Sequence, residues 1–210
     1  MASIDERAVA LVTGGAGGLG SAICRKLAHA SMVVVVGYHR SAESAHQLAR
    51  TLPGEGHSAR RAPVTESAQL TALATEIRKD YGRCDVLVNC AAITRFVRHA
   101  DLEALDDELI DNILATNVRG AFALVRAFRP MLERSPLAGG GVVVNVSSAA
   151  GTLAMGSNVI YCASKAALDN RRRPSSSSVR RIVSRPPLGR GMLGKAFTRC
   201  SGGTCRNEDL

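Results

Sequence analysis

The chain has no tryptophan, and aromatic residues make up only 3% of its 210 residues. Its six cysteines, Cys24, Cys84, Cys90, Cys162, Cys200 and Cys205, never stand in a CxxC pair. That spacing implies neither a zinc knuckle nor the disulfide framework of a secreted protein, so free thiols and no metal site are the expectation. Long hydrophobic runs are missing too: the longest, Met32 to Val36, falls far short of a bilayer span. The opening "MASIDERAVALVTGG" carries acids where a signal peptide has a cationic and then an apolar stretch. A soluble, cytoplasmic protein without a membrane partner is expected.

Acidic charge is scarce, and the net charge of +9 invites a nucleic-acid partner until it is divided by region. Residues 171 to 210 hold nine Arg and one Lys against Glu208 and Asp209, which leaves 27 − 10 = 17 bases against 18 − 2 = 16 acids before them. The body is close to neutral. A basic excess confined to a tail with one aromatic, Phe197, lacks the interleaved stacking residues of a single-strand binder and any folded groove-reading motif, so no nucleic-acid partner is expected.

What is present is an alternation. "AVALVT" (8–13), "MVVVVG" (32–37), "CDVLVN" (84–89) and "GVVVNV" (141–146) are continuous apolar runs, the pattern of strands buried on both faces of a parallel sheet. Amphipathic segments lie between them at about 18–30, 41–52, 66–81 and 103–134, and a weaker strand is expected near "HSARRAPV". "LTALATEIRKDYG" puts Leu70, Leu73, Ala74 and Ile77 on one helical face and stops at Gly82. The spacing predicts one α/β domain, a doubly wound parallel sheet of the Rossmann type, over residues 1–170.

The first strand runs into "TGGAGGLG". Glycines there permit a tight turn, let backbone N–H groups approach a pyrophosphate, and let the next helix pack close with its N-terminus aimed at the anion. Thr13 through Gly20 is similar to the TGxxxGxG cofactor loop of the short-chain dehydrogenase/reductase family, with Gly14, Gly18 and Gly20 as the matching glycines. Further elements appear in the family's order. "NCAA" at 89–92 resembles its NNAG element, "TNVRG" supplies Asn117, "NVSSAAG" supplies Ser148, and "YCASK" supplies Tyr161 and Lys165. The resemblance covers about residues 6 to 170 and is nearest to 3-oxoacyl-carrier-protein reductase-like and pteridine-reductase-like members.

The chemistry fits these residue types. A hydride moving between nicotinamide and a carbonyl carbon leaves an alkoxide that needs a proton, so the site requires a positioned acid. Tyr161 can serve, because Lys165 stands four residues on, on the same helical face, and its charge stabilises phenolate. Ser148, thirteen residues before Tyr161 at the end of a buried strand, can hydrogen-bond the substrate oxygen. The resemblance implies that Lys165 also binds the nicotinamide ribose and that Asn117 holds a water linking Lys165 to solvent. It implies cofactor contacts from Thr13, Gly14, Gly18, Leu19 and Gly20, from Val64, Asn89 and Ala91, and from Tyr161 and Lys165 themselves.

Cofactor choice depends on the residues at the end of the second strand. NAD-preferring enzymes place an Asp or Glu about 20 residues after the glycine loop, whereas a 2′-phosphate needs cations and no acid. Here "GYHRSAES" presents Tyr38, His39, Arg40 and Ser41, a stretch that resembles NADPH-binding pteridine-reductase-like sequences, and Arg40 can pair with phosphate bidentately. The expected function is an NADP(H)-dependent oxidoreductase, a carbonyl reductase acting on a small ketone, aldehyde or alcohol. Family members commonly oligomerise, so association with a second copy or an intact relative is expected.

Several positions depart from the family pattern. Pro63 stands where an Asp usually contacts adenine, Ala92 replaces the last Gly of NNAG, and Ser31 replaces the Gly that ends the first helix in a positive-φ conformation. After Asn170 the composition switches abruptly to Arg, Ser, Pro and Gly, which predicts a disordered or irregular tail over 171–210. Pro174 should end the catalytic helix at Arg172 or Arg173. "RRIVSRPP" does not read as a buried strand, so the family's last two strands are expected to be lacking and the fifth strand to form an exposed apolar edge. A shifted reading frame or alternative exon would explain the switch. The alternative expectation is a catalytically impaired, truncated paralogue that binds nucleotide or docks with an intact relative.

Overall fold

Continuous apolar runs form strands in this chain because helices cover both faces of the sheet. The computed structural model describes residues 7–169 and the backbone of 180–184. The elements are β1 (Val9–Thr13), α1 (Gly18–His29), β2 (Val33–Tyr38), α2 (Ala42–Thr51), β3 (Ser58–Arg61), α3 (Ser67–Tyr81) and β4 (Val86–Asn89). They continue as α4 (Asp107–Leu114), a π-helical turn (Ala115–Arg119), α5 (Gly120–Glu133), β5 (Val142–Val146), α6 (Ala150–Leu153), α7 (Val159–Asp169) and β6 (Arg180–Ser184). All strands are parallel, in the order β3-β2-β1-β4-β5-β6. Along β1, Val9 and Leu11 pack with Leu70 and Ile77 of α3 and with Leu124 and Phe128 of α5. Ala10 and Val12 face the other way, onto Cys24 and Leu27 of α1 and Ala45 and Leu48 of α2. Each fully buried Leu, Ile or Phe contributes about 1.5–3 kcal/mol, so the two layers hold the sheet flanked on both sides.

The strand and helix readings hold with shifts of one or two residues, apart from two differences. The segment expected as one helix over 103–134 begins later, where the Asp106 side chain caps α4 by accepting from Leu109 N at 2.7 Å. It is then interrupted by the π-helical turn. One extra residue in a turn leaves apolar periodicity almost unchanged, which is why the pattern ran straight through it; such turns gather at functional sites. The second difference corrects the expectation for "RRIVSRPP". Arg180–Ser184 pairs in parallel with β5, Val144 opposite Ile182 and Val146 opposite Ser184, so β5 is not the sheet's edge. An unpaired strand edge presents a full row of backbone donors and acceptors, and β-branched residues such as Ile182 and Val183 suit pairing with it even with charge and proline on either side. No seventh strand occurs among the described residues. Of the tail expected to be disordered or irregular over 171–210, residues 180–184 are instead a strand, and its remainder, with the helix end at Arg172 or Arg173, falls on residues outside the described ones.

Two local features fix the ends of elements. α1 closes through Ser31, whose φ is +62°, with Ser31 N donating to Ala28 O at 2.9 Å and Met32 N to Leu27 O at 3.2 Å. This is the double-bonded C-terminal motif usually built on glycine, and the chain makes it with serine. At the N-terminal edge of the sheet the buried Asp85 carboxylate accepts from Val9 N at 2.8 Å, Arg83 Nε at 2.7 Å and Ser135 Oγ at 2.6 Å. That knot lies at the end of the sheet opposite the glycine loop. Among the described residues no helix is long and apolar enough to cross a membrane.

Candidate active site

The glycine loop joins β1 to α1 at the carboxyl end of the sheet, where the strand order reverses direction between β1 and β4. Open α/β sheets bind ligands in that crevice. Gly14 takes φ +64°, and a Cβ on it would stand 3.0 Å from Ala91 Cα. A Cβ on Gly20 would overlap the Gly14 carbonyl oxygen and lie 2.8 Å from its carbon. Gly18 differs: nothing lies within 4 Å of an added Cβ, so the loop is open there to the outside. α1 starts from Gly17 with no side-chain cap and no acid in its first turn, so no side chain caps its leading N–H groups. Leu19 is exposed on the same turn.

Thr13 is placed differently from the others in its group. Its hydroxyl is buried, donates to Val88 O at 3.1 Å and accepts from Cys90 N at 3.2 Å and Ala91 N at 3.3 Å, tying the loop to the end of β4. Asn89 faces the α5 side of the sheet, where its amide nitrogen donates to Asn145 Oδ1 at 2.8 Å. Val64 is buried beside Gly120, its Cβ 2.9 Å from where a Cβ on that glycine would stand. At the end of β2, Tyr38 is half-buried with its ring centroid 6.0 Å from that of His46, while His39, Arg40 and Ser41 are exposed. Ser41 caps α2 by position without a side-chain bond.

Of the four expected catalytic residues, Tyr161 and Lys165 lie side by side on α7, Asn117 ties the π-helical turn to the same helix through Ser164, and Ser148 follows β5. Ser148, two residues past β5, accepts from Ala150 N at 3.2 Å through Oγ, which leaves its proton for another acceptor. Lys165 is 3% exposed, donates from Nζ to Val146 O at 2.9 Å, and has Nζ 5.6 Å from the centroid of the Tyr161 ring. Burial pushes the Lys165 pKa down, opposed by the nearby Cys90 and Asp169. Cys90 lies close enough that Lys165 opposes the upward push that burial gives its thiol. Asn117, in the π-helical turn, accepts from Ile93 N at 2.8 Å and donates to Ile93 O at 3.0 Å and Ser164 Oγ at 3.1 Å. Both its amide hydrogens are therefore engaged by protein groups.

Sequence reasoning missed the residues that brace this cluster. Ser147 donates to Lys165 O at 3.2 Å, and Ser164 donates to Tyr161 O at 2.7 Å. Asn158 accepts from Tyr161 N at 2.7 Å and so caps α7. An Asn directly before the apolar "VIY" is a helix-start signal that could have marked it; the serines carried none.

The family model described as short chain dehydrogenase matches residues 8–173. The chain belongs to the short-chain dehydrogenase family. A Streptomyces violaceoruber protein named as ketoacyl reductase 2 of the granaticin polyketide synthase is 42% identical over 159 residues, 76% of this chain and 62% of that protein. D-threitol dehydrogenase of Mycolicibacterium smegmatis is 38% identical over 160 residues, 75% of this chain and 58% of that protein. This short-chain dehydrogenase chain thus spans about three-fifths of those relatives' length. A metagenomic short-chain oxidoreductase solved in complex with NADP superposes with a TM-score of 0.75 at 30% identity, covering 90% of this chain and 84% of that one. The chain is therefore related to oxidoreductases and carries their fold.

Proposed function

We propose that residues 1–170 form a cofactor-binding and catalytic unit that interconverts a carbonyl and an alcohol with NADP(H), Tyr161 acting as general acid and base. The observation that carries this reading is the buried Lys165 ammonium, anchored on Val146 O at 2.9 Å beside the Tyr161 ring and one turn along α7 from it. The glycine loop fits a dinucleotide: Gly14 and Gly20 leave no room for side chains, Gly18 opens outward, and the uncapped start of α1 suits a pyrophosphate. Gly14, Gly18, Leu19 and Gly20 would hold the pyrophosphate, with Ala91 beneath it. Tyr38, His39, Arg40 and Ser41 would take the adenosine ribose and its 2′-phosphate, and no acid stands among them. The bound nicotinamide supplies or accepts the hydride.

The chain's own residues do the remaining work. Ser148 Oγ–H donates to the substrate oxygen as negative charge develops there. Tyr161 gives its phenolic proton to that oxygen in reduction and withdraws one in oxidation. The Lys165 cation stabilises the phenolate left behind. Asn117 acts through its hold on Ser164 and Ile93, which sets α7 against the start of the 93–97 segment. The substrate is a small ketone, aldehyde or alcohol, the reaction is cytoplasmic, and a second copy or a longer relative is the expected associate.

One observation favours a second reading, nucleotide binding with little turnover. Phe96 is 74% and Met155 67% exposed near the site, with no cover among the described residues. Fluorescence titration with NADPH and NADH, followed by NADPH oxidation with a panel of small ketones and aldehydes, separates the two. Tight NADPH binding with carbonyl-dependent turnover supports the first reading. NADPH binding without turnover overturns it in favour of the second, and preference for NADH overturns the cofactor assignment.

A further inference from the structure

Asn158 is fully buried at 0% exposure, yet every polar group of its side chain is engaged. Its oxygen accepts from Tyr161 N at 2.7 Å. Its amide nitrogen donates to Arg95 O at 2.7 Å and to Thr94 Oγ1 at 3.3 Å. The same loop adds further ties from its neighbour Ser157, which donates through Oγ to Arg95 O at 3.1 Å and accepts from Val97 N at 2.9 Å through its carbonyl. A buried amide that satisfies two separate stretches of backbone fixes their relative position, since freeing either leaves a buried polar group without a partner.

The 93–97 segment is therefore held over residues 93–95 by two asparagine amides that also reach α7, and at Val97 by the Ser157 carbonyl next to Asn158. Asn117 holds Ile93 and reaches Ser164; Asn158 holds Thr94 and Arg95 and reaches Tyr161. Along this held segment, Ile93 and Phe96 expose apolar side chains. We propose that Asn158 is a positioning residue that sets the Tyr161 backbone and locks the 93–97 segment to it, so that whatever presses on Ile93 or Phe96 is felt by the proton donor. This rests on the assignment of Tyr161 as general acid.

The two halves of the amide can be separated. Asn158→Asp keeps an acceptor for Tyr161 N and loses both donors to the 94–95 backbone and hydroxyl; Asn158→Ala loses everything. In NADPH-dependent carbonyl reduction by the full chain, Asn158→Ala is expected to lower kcat by roughly 10- to 100-fold, the penalty of misplacing a reacting group by a fraction of an ångström to an ångström. KM for NADPH should stay within about twofold, and Asn158→Asp should recover most of kcat with a raised KM for the carbonyl substrate. A kcat unchanged in Asn158→Ala, or equally low in Asp and Ala variants, overturns the proposal. Hydrogen exchange gives a reading that does not depend on turnover. Exchange in peptides covering 93–97 should quicken in both variants, whereas exchange at 159–162 should quicken in Asn158→Ala alone. Unchanged exchange over 93–97 in Asn158→Ala refutes the coupling even if the wild-type chain proves inactive, and a wild-type chain without turnover refutes the Tyr161 assignment separately.

Discussion

Alanine substitutions at Gly18 and Gly20 should part company, although both residues belong to one motif. Gly18 begins α1, and an added methyl there meets no protein atom within 4 Å. Gly18→Ala should leave the fold intact and, by restricting the unfolded chain, raise stability by about 0.4–1 kcal/mol. At this chain length that is a rise of about 1–4 °C in Tm. The open space it fills is where a pyrophosphate would rest on the start of α1, so NADPH affinity should fall at least about tenfold, or about 1.4 kcal/mol. Gly20→Ala has no such freedom: the new methyl overlaps the Gly14 carbonyl oxygen and stands 2.8 Å from its carbon and 2.9 Å from Gly15 Cα. Ordinary contact requires these backbone atoms to retreat by more than half an ångström, an overpacking cost of about 1–3 kcal/mol that should lower Tm and NADPH binding together. Thermal unfolding and NADPH fluorescence titration read both quantities. A Gly18→Ala protein that binds NADPH like the wild type would refute the cofactor path over this loop.

Three further outcomes rest on the fold. Ser31→Gly relieves a left-handed conformation costing about 1–2 kcal/mol, offset by glycine's greater unfolded freedom, and should raise stability by about 0.5–1 kcal/mol in urea unfolding; a loss of stability would contradict the Ser31 geometry. Asp85→Ala strips Arg83, Val9 N and Ser135 of their shared buried acceptor and should cost about 3–5 kcal/mol in the same assay, against a near-neutral change if the knot contributes nothing. Burial raises the Cys24 and Cys84 thiols from 9.0 to about 12, so between those values the unfolded chain has released protons that the folded chain still holds. Their contribution is complete below pH 9 and is lost toward pH 12, with a limiting slope of about 1.4 kcal/mol per pH unit per thiol. Lys165, its pKa lowered by burial, works in the opposite sense, so the comparison is with Cys84→Ala, whose stability should fall less steeply over the same range. Equal slopes would exclude the thiol.

The sheet was legible because a strand covered on both faces must be apolar at every position, and such runs admit few other readings. β3 was harder: as an edge strand of the sequence Ser-Ala-Arg-Arg it buries little, yet its position between α2 and α3 gave it away. β6 was missed because its pairing with β5 is a property of the partner's free backbone edge, which a local pattern does not contain. At the site, Tyr161, Lys165 and Ser148 stood out by residue type and spacing. The roles of Thr13, Asn89 and Asn158 depend on which face of an element meets which loop, information present only once the chain has folded. Asn117 was found by motif, but the π-helical turn that points it inward leaves no periodicity signature.

The most direct test is NADPH-dependent carbonyl reduction by the full chain beside its Tyr161→Phe variant, which removes one hydroxyl and leaves the ring beside Lys165. Carbonyl-dependent turnover in the wild type should fall by about 10²- to 10⁴-fold in the variant, with NADPH affinity within about twofold. Equal turnover by the two proteins would contradict the assignment of Tyr161 as the proton donor.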